Sequence, residues 1–391
     1  VTWFAGATRK AVAVAAAASV ILLAGCALPS PLPTNTATPR PAPSSAPTAT
    51  DPLAGLSLEQ RVGQLFMVGT AATVAEAETV AAVRDRHVGN VFLAGRSSAG
   101  TAVTAAVTAH LTALVSPEST AGLPLLVATD QEGGQVQVLR GPGFSDMPSA
   151  LQQGSLDATA LAGSAQSWAA ELSSAGVNMN LAPVVDLIPS PASAASNPPI
   201  GAFDREFGFD PATIVAHSKA FRDGMSAGGV HSVVKHFPGL GAVTGNTDTT
   251  PGVTDTTTSA QSDSVGIYRS EIASGATSIM VSSAVYSLID PTAPAMFSPV
   301  VVGDLLRVQL GFTGVVMTDD VSGAAAVAAW TPADRAVLSI LAGCDIVLVS
   351  RTPAVAAEMV DAVVARARSD PAFATLVDAS ARRVIALKSG R

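Results

Sequence analysis

The chain has 391 residues, 48% hydrophobic, 13% charged and 4% aromatic, with 22 basic against 30 acidic side chains and a net charge of −8. That much apolar material excludes disorder throughout, the acidic balance argues against nucleic acid as a partner, and two cysteines exclude a disulfide scaffold. Five histidines without metal-ligand spacing leave no metal site, and no other cofactor is expected.

Arg9 and Lys10 precede an apolar run, Ala11 to Ala24, that is too short for a comfortable membrane span and suits a signal peptide over residues 1–25. It ends in Leu23-Ala24-Gly25-Cys26, which resembles a bacterial lipobox. The resemblance implies lipid attachment at Cys26, hence a protein anchored to the cell membrane on its extracytoplasmic face. An ordinary signal peptide with an incidental cysteine is the other reading. Cleavage before Cys26 removes two basic residues and shifts the net charge from −8 to −10. Cys344 then remains as a free thiol, read as a small buried apolar residue. Residues 26–52 hold eight prolines among Ala, Ser and Thr, a semi-extended linker. The folded body is placed at 53–391, where the length admits one large barrel.

In that body, Ser57-Leu58-Glu59-Gln60 has the pattern of a capping box opening a first helix. Short β-like runs follow at Leu65–Gly69, Gly89–Leu93, Pro124–Thr129, Val177–Leu181, Val230–Val234, Ser278–Ser282, Gly314–Thr318 and Asp345–Val349. Alanine-rich helical stretches separate most of them, among them Ala158–Ala175, Thr213–Ala227 and Pro332–Leu341. Such alternation predicts an α/β fold of parallel strands with crossover helices, and eight runs point to a (β/α)8 TIM-type barrel in a single domain. An open doubly wound sheet is the alternative.

Polar residues gather at the strand ends: Asp130 after the third, Asp186 after the fourth, Lys235 and His236 after the fifth, Asp319 and Asp320 after the seventh. In a barrel those C-terminal ends share one mouth, where active sites of that fold lie. A single such carboxylate is readily a helix cap; four strand ends together point to a site.

Lys235-His236-Phe237-Pro238-Gly239 with Gly241 resembles the K-H-F-P-G-x-G signature of glycoside hydrolase family 3. Asp130-Gln131-Glu132-Gly133-Gly134, Ala182-Pro183-Val184-Val185-Asp186, Asp204-Arg205-Glu206-Phe207-Gly208 and Thr318-Asp319-Asp320 are similar, in order, to segments of that family's single-domain bacterial β-N-acetylglucosaminidases, including lipoprotein forms. The resemblance implies that Asp319 is the nucleophile of a retaining mechanism, and that Asp130, Arg205, Lys235, His236 and Asp186 bind sugar hydroxyls. For Asp186 a merely orienting role stays open, and Asp320 reads as structural. Glu132, Gly133 and Gly134 read as shaping the loop after the third strand.

Two departures from the pattern stand out. The loop after the K-H-F-P-G-x-G segment carries an Asp-Ser/Thr-His sequence in the resembled enzymes, its histidine being the general acid/base. Here Asp248 and Thr249 match, but Thr250 stands in the histidine position. A threonine hydroxyl is no acid near neutral pH, so three outcomes remain: Asp248 is the acid/base, a group outside the motif supplies the proton, or the protein binds glycan with weak or no turnover. Gln135 and Val138 also stand where the family often has arginines; Arg140 is the alternative, its direction left open by strand alternation.

The chain ends at Arg391, soon after the last helix, so the single-domain form is expected, which within the resembled family points away from β-glucosidase. The resemblance thus implies a retaining exo-β-N-acetylglucosaminidase releasing terminal GlcNAc from peptidoglycan fragments. Its partners are a GlcNAc-containing glycan and, through the lipid anchor, a membrane. The alternatives are an inactive glycan-binding lipoprotein, or a β-glucosidase or glycoside phosphorylase of the same family.

Overall fold

Valine, isoleucine, leucine and methionine runs buried on both faces form parallel strands, the arrangement in which helices cover a sheet from either side. The computed structural model describes residues 51–390, so the expected leader, Cys26 and most of the linker lie outside the described residues. Every apolar run expected to be a strand is one: β1 (Phe66–Ala71), β2 (Asn90–Ala94), β3 (Leu126–Thr129), β4 (Met179–Asn180), β5 (His231–Ser232) continuing past Val233 into β6 (Val234–Phe237), β7 (Ser278–Val281), β8 (Val315–Thr318) and β9 (Val347–Val349). Hydrogen bonding groups them into a parallel sheet ordered β9-β1-β2-β3-β4-β5 and a second ordered β8-β7-β6. Beyond the ladders, β8 meets β9 at a single bridge, Met317 to Ile346, and Val184 bridges Lys235. The fold is therefore α/β.

Side-chain alternation splits the core in two. One cluster packs the sheets against the helices. The other takes Met67, Phe92, Leu126, Met179, Met280, Met317 and Leu348, residues from seven strands turned to a common interior. Val384 and Leu387 of the helix Pro371–Lys388 join that interior cluster. Cys344 is free and buried, and burial pushes its thiol up.

The helices start where the sequence signals them. Gln60 N–H donates to Ser57 Oγ at 3.1 Å and Ser57 N–H to Gln60 Oε1 at 3.1 Å, the reciprocal capping box that opens Leu58–Gly63. Asp157 caps Ala158–Ser174, and Asp210 with Pro211 opens Pro211–Ala227. These two helices pack together, and Gly224 lies so close to the Ala162 carbonyl that a Cβ would clash with it. No described helix is long and apolar enough to cross a membrane.

Candidate active site

The carboxyl ends of the strands bring together most of the residues singled out in the sequence. Asp130 directly follows β3, Lys235 and His236 lie within β6, and Asp319 directly follows β8. Lys235 is 2% exposed, and a bare ammonium at that depth would be costly. Its Nζ donates to Asp130 Oδ1 at 2.6 Å and lies 2.6 Å from Glu132 Oε1. Glu132 in turn accepts two parallel bonds from Arg205, Nε to Oε2 at 2.8 Å and Nη2 to Oε1 at 2.7 Å. The remaining Arg205 nitrogen, Nη1, donates to the Pro199 carbonyl at 2.8 Å.

Asp130, Lys235, Glu132 and Arg205 thus form one chain of alternating charge with no net sign. Burial pushes the Glu132 carboxyl up, but the Arg205 and Lys235 charges outweigh it and hold the group down at about 2. Burial likewise works against the Lys235 ammonium, and Asp130 and Glu132 together raise its pKa above the ordinary value. Glu132, Lys235 and Arg205 are therefore all ionised at neutral pH.

The neighbouring pair is a histidine held by a carboxylate. Asp186 is fully buried; it accepts His236 Nδ1–H at 2.7 Å, and its other oxygen accepts the backbone N–H groups of His236 at 3.2 Å and Leu240 at 2.7 Å. With Nδ1 so engaged, Nε2 has no protein partner among the described residues and is the ring atom left for a ligand. Gly241 lets this segment pass the Leu187 carbonyl, where a Cβ would clash.

Asp319 is only partly covered, yet its carboxyl is pushed up to about 6. Burial is the largest cause; His236 pulls the other way, and the Asp248 and Asp320 charges add to the rise. The Asp320 N–H donates to Asp319 Oδ1 at 2.8 Å. Asp320 itself is spent on the backbone: its carboxylate accepts from Ser322 N at 3.1 Å, Gly323 N at 2.8 Å and Ser350 N at 2.8 Å, tying the loops after β8 and β9 together. Asp248 is exposed on a loop docked against the one after β8, where Ala325 N–H donates to the Asp248 carbonyl at 3.1 Å. Thr250 is exposed on the same loop. Arg140 turns to its own loop instead, to Asp146 at 2.6 Å and the Gly134 carbonyl at 2.6 Å.

Sequence reasoning missed Glu132 as a site residue. Its signal was the spacing: Asp130 and Glu132 are two apart in extended chain, which puts both on one face. Glu206, in the Arg205 segment, was also unremarked. It is fully buried, and neither carboxylate oxygen has a hydrogen-bond partner among the described residues. Burial first, with Asp204 and Asp186 adding like charge, raises its pKa. A folded-state pKa above the unfolded one means that stability falls as pH rises through that window. Glu206→Gln removes the titration, so the variant is expected to match the parent at pH 4 and exceed it at pH 8 by about 1 kcal/mol, read from urea unfolding at both values.

The profile of the glycosyl hydrolase family 3 N terminal domain matches residues 57–387. A crystal structure of a β-N-acetylhexosaminidase from Beutenbergia cavernae shares 62% identity at a TM-score of 0.85, covering 86% of this chain and 99% of that one. A family 3 β-N-acetylglucosaminidase from a Paenibacillus species shares 28% identity at a TM-score of 0.76, over 85% of this chain and 62% of that one. A β-hexosaminidase of Xylella fastidiosa is 32% identical over 321 residues, 80% of this chain and 91% of that protein. A match running through every strand end described above has one reading: the chain belongs to glycosyl hydrolase family 3.

Proposed function

We propose that the protein is a retaining exo-β-N-acetylglucosaminidase. The observation that carries this reading is Asp319, a carboxylate at a strand end beside a neutral-sum charge network and an oriented histidine. Ionised Asp319 attacks the anomeric carbon, the glycosidic oxygen leaves with a proton, and water later releases the sugar from the glycosyl-enzyme. Asp130, Lys235 and Arg205 grip sugar hydroxyls with charge-assisted bonds. His236 presents Nε2 to the same sugar, and Asp186 acts by holding His236.

Asp248 is the proton donor in this reading. Its loop docks on the segment after β8 that begins at Asp319, through Ala325 N–H to the Asp248 carbonyl at 3.1 Å. The two parallel sheets are read as one (β/α)8 barrel, supported by the shared interior cluster and the Met317–Ile346 bridge. The Cys26 motif and the proline-rich linker support a lipid-anchored protein at the extracytoplasmic face, acting on terminal GlcNAc of peptidoglycan fragments.

The test is to incubate the protein with an aryl β-GlcNAc and with a fluorinated GlcNAc inactivator, and to map the adduct. Turnover with the label on Asp319 is expected; turnover with Asp319 unlabelled sinks the nucleophile assignment. Thr250 in the place of an expected histidine favours one second reading, a glycan binder without chemistry. GlcNAc binding with neither turnover nor adduct would select it. Asp248→Ala is expected to slow a natural disaccharide at least about tenfold more than an activated aryl glycoside, whose leaving group needs less protonation. Equal losses on both would remove Asp248 from that role.

A further inference from the structure

Tyr286 is fully buried behind the K-H-F-P-G segment, in a short strand Val285–Tyr286 that pairs with Thr254–Asp255 and Asp290–Pro294. Its phenol oxygen lies 2.9 Å from the Gly239 carbonyl and 2.9 Å from Ser282 Oγ. A carbonyl only accepts, so the single phenol proton goes to Gly239. Ser282 Oγ accepts the Ala284 N–H at 3.0 Å and has its own proton to give to the phenol oxygen. Burial first, with Asp186, Asp255 and Asp319 adding like charge against the pull of Ser282, holds the phenol well above its ordinary pKa. Tyr286 therefore stays a donor across the neutral range.

The carbonyl it holds belongs to the same peptide unit as the Leu240 N–H, which donates to Asp186 Oδ1 at 2.7 Å. Asp186 Oδ2 in turn accepts His236 Nδ1–H at 2.7 Å. Phenol, peptide, carboxylate and imidazole thus stand in series, each hydrogen bond polarising the next. The peptide needs such a hold. Gly239 has φ +137°, in the region open to glycine, and a Cβ there would come within 3.0 Å of Ser264 Cβ. With no side chain at Gly239 to fix the plane, rotation of the peptide would turn the Leu240 N–H off Asp186. Among the described residues Tyr286 is the only donor to the Gly239 carbonyl.

Resting on the proposed hydrolase reading, in which His236 meets the sugar, we propose that Tyr286 is a positioning residue for that contact: it fixes the Gly239–Leu240 peptide, the peptide fixes Asp186, and Asp186 fixes the His236 ring. A paired strand thereby sets the aim of Nε2 from behind the site, by a residue too buried to touch the ligand itself.

The test is a double-mutant cycle on an aryl β-GlcNAc. Tyr286→Phe keeps the ring and removes the hydroxyl, and kcat/KM is expected to fall about tenfold. Placed on His236→Ala, the same change should cost less than about twofold, because the residue it acts through is gone. Equal costs in both backgrounds overturn the proposal. Tyr268→Phe is the control: the chain's other tyrosine is equally buried, meets Phe237 edge-on with ring centroids 4.9 Å apart, and its hydroxyl has no partner among the described residues. It should leave kcat/KM within about twofold; a loss as large as that of Tyr286→Phe overturns the proposal, since any buried hydroxyl would then serve. Amide hydrogen exchange reads the clamp directly. In Tyr286→Phe the Leu240 amide should lose protection about tenfold or more while the amides of β7 hold theirs. Unchanged protection at Leu240, or a loss spread equally over β7, overturns the proposal whatever the activity. If the parent protein turns over no glycoside, the hydrolase reading fails instead, and the same cycle measured as GlcNAc affinity by calorimetry decides the role of Tyr286.

Discussion

Asp319→Asn is expected to lose about 10⁴-fold or more in kcat/KM on an aryl β-GlcNAc, because an amide forms no glycosyl-enzyme, and at the same time to gain stability at neutral pH. Both effects follow from one environment. The folded carboxyl is held at about 6, against the ordinary 3.8, mainly by burial, with Asp248 and Asp320 adding to the rise. The folded state therefore binds more protons than the unfolded state between pH 3.8 and 6, and stability falls as pH rises through that window. The full linkage value for such a difference is ~3 kcal/mol, and the part of Asp319 still open to solvent lowers the expected gain to about 1–2 kcal/mol. It should be complete above pH 6 and vanish below 3.8, which urea unfolding at pH 7.5 and 3.5 checks. The kinetic counterpart is an acid limb near pH 6 in kcat/KM, where the nucleophile ionises. Removing the Asp248 charge should move that limb to lower pH. An inactive Asp319→Asn with unchanged stability at both pH values would mean that the carboxyl is not buried at cost, and the nucleophile role would then rest on the labelling alone.

How much of this was legible beforehand depended on whether a residue's partner was local. The strands declared themselves as buried apolar runs, and each of the eight expected runs forms a parallel strand in the expected chain order, while short strands such as Gln131–Gly133 and Val285–Tyr286 gave no such signal. Where the expected limits missed, a physical reason is visible. The fifth run was expected to stop at Val234, because Lys235 and His236 are charged or polar; the strand goes on to Phe237 because distant carboxylates neutralise the one and orient the other. At the fourth, expected over Val177–Leu181, only Met179 and Asn180 ladder. Asn178 and Asn180 side chains take over some of the bonding, to Val127 N at 2.7 Å and Gln131 N at 3.0 Å.

Glu132 is where that limit has its largest energetic consequence. The residue was read as a loop former, yet it is 4% exposed and takes three charged contacts from Arg205 and Lys235. Glu132→Ala leaves two cations facing Asp130 alone, and an unpaired buried charge costs about 3–5 kcal/mol. Loss of that size is expected in urea unfolding at pH 7. Glu132→Gln keeps the shape and an acceptor, so about 1–3 kcal/mol is expected there. The pH dependence separates the charge from the packing. With the folded carboxyl at about 2 against 4.5, the folded state binds fewer protons in that interval. The contribution is therefore present above pH 4.5 and lost as pH falls toward 2. The parent protein should lose its margin over Glu132→Gln across that acid range, the reverse of the Asp319 case, in which acid stabilises. Kinetically the two also part: the acid limb set by Asp319 should stay near pH 6 in Glu132→Gln while KM rises, since Glu132 acts by fixing Lys235 and Arg205 toward the sugar. Equal stability of Glu132→Gln and parent at pH 7 would show that Asp130 and the Pro199 carbonyl suffice to hold both cations, and that the carboxylate between them contributes geometry without net energy.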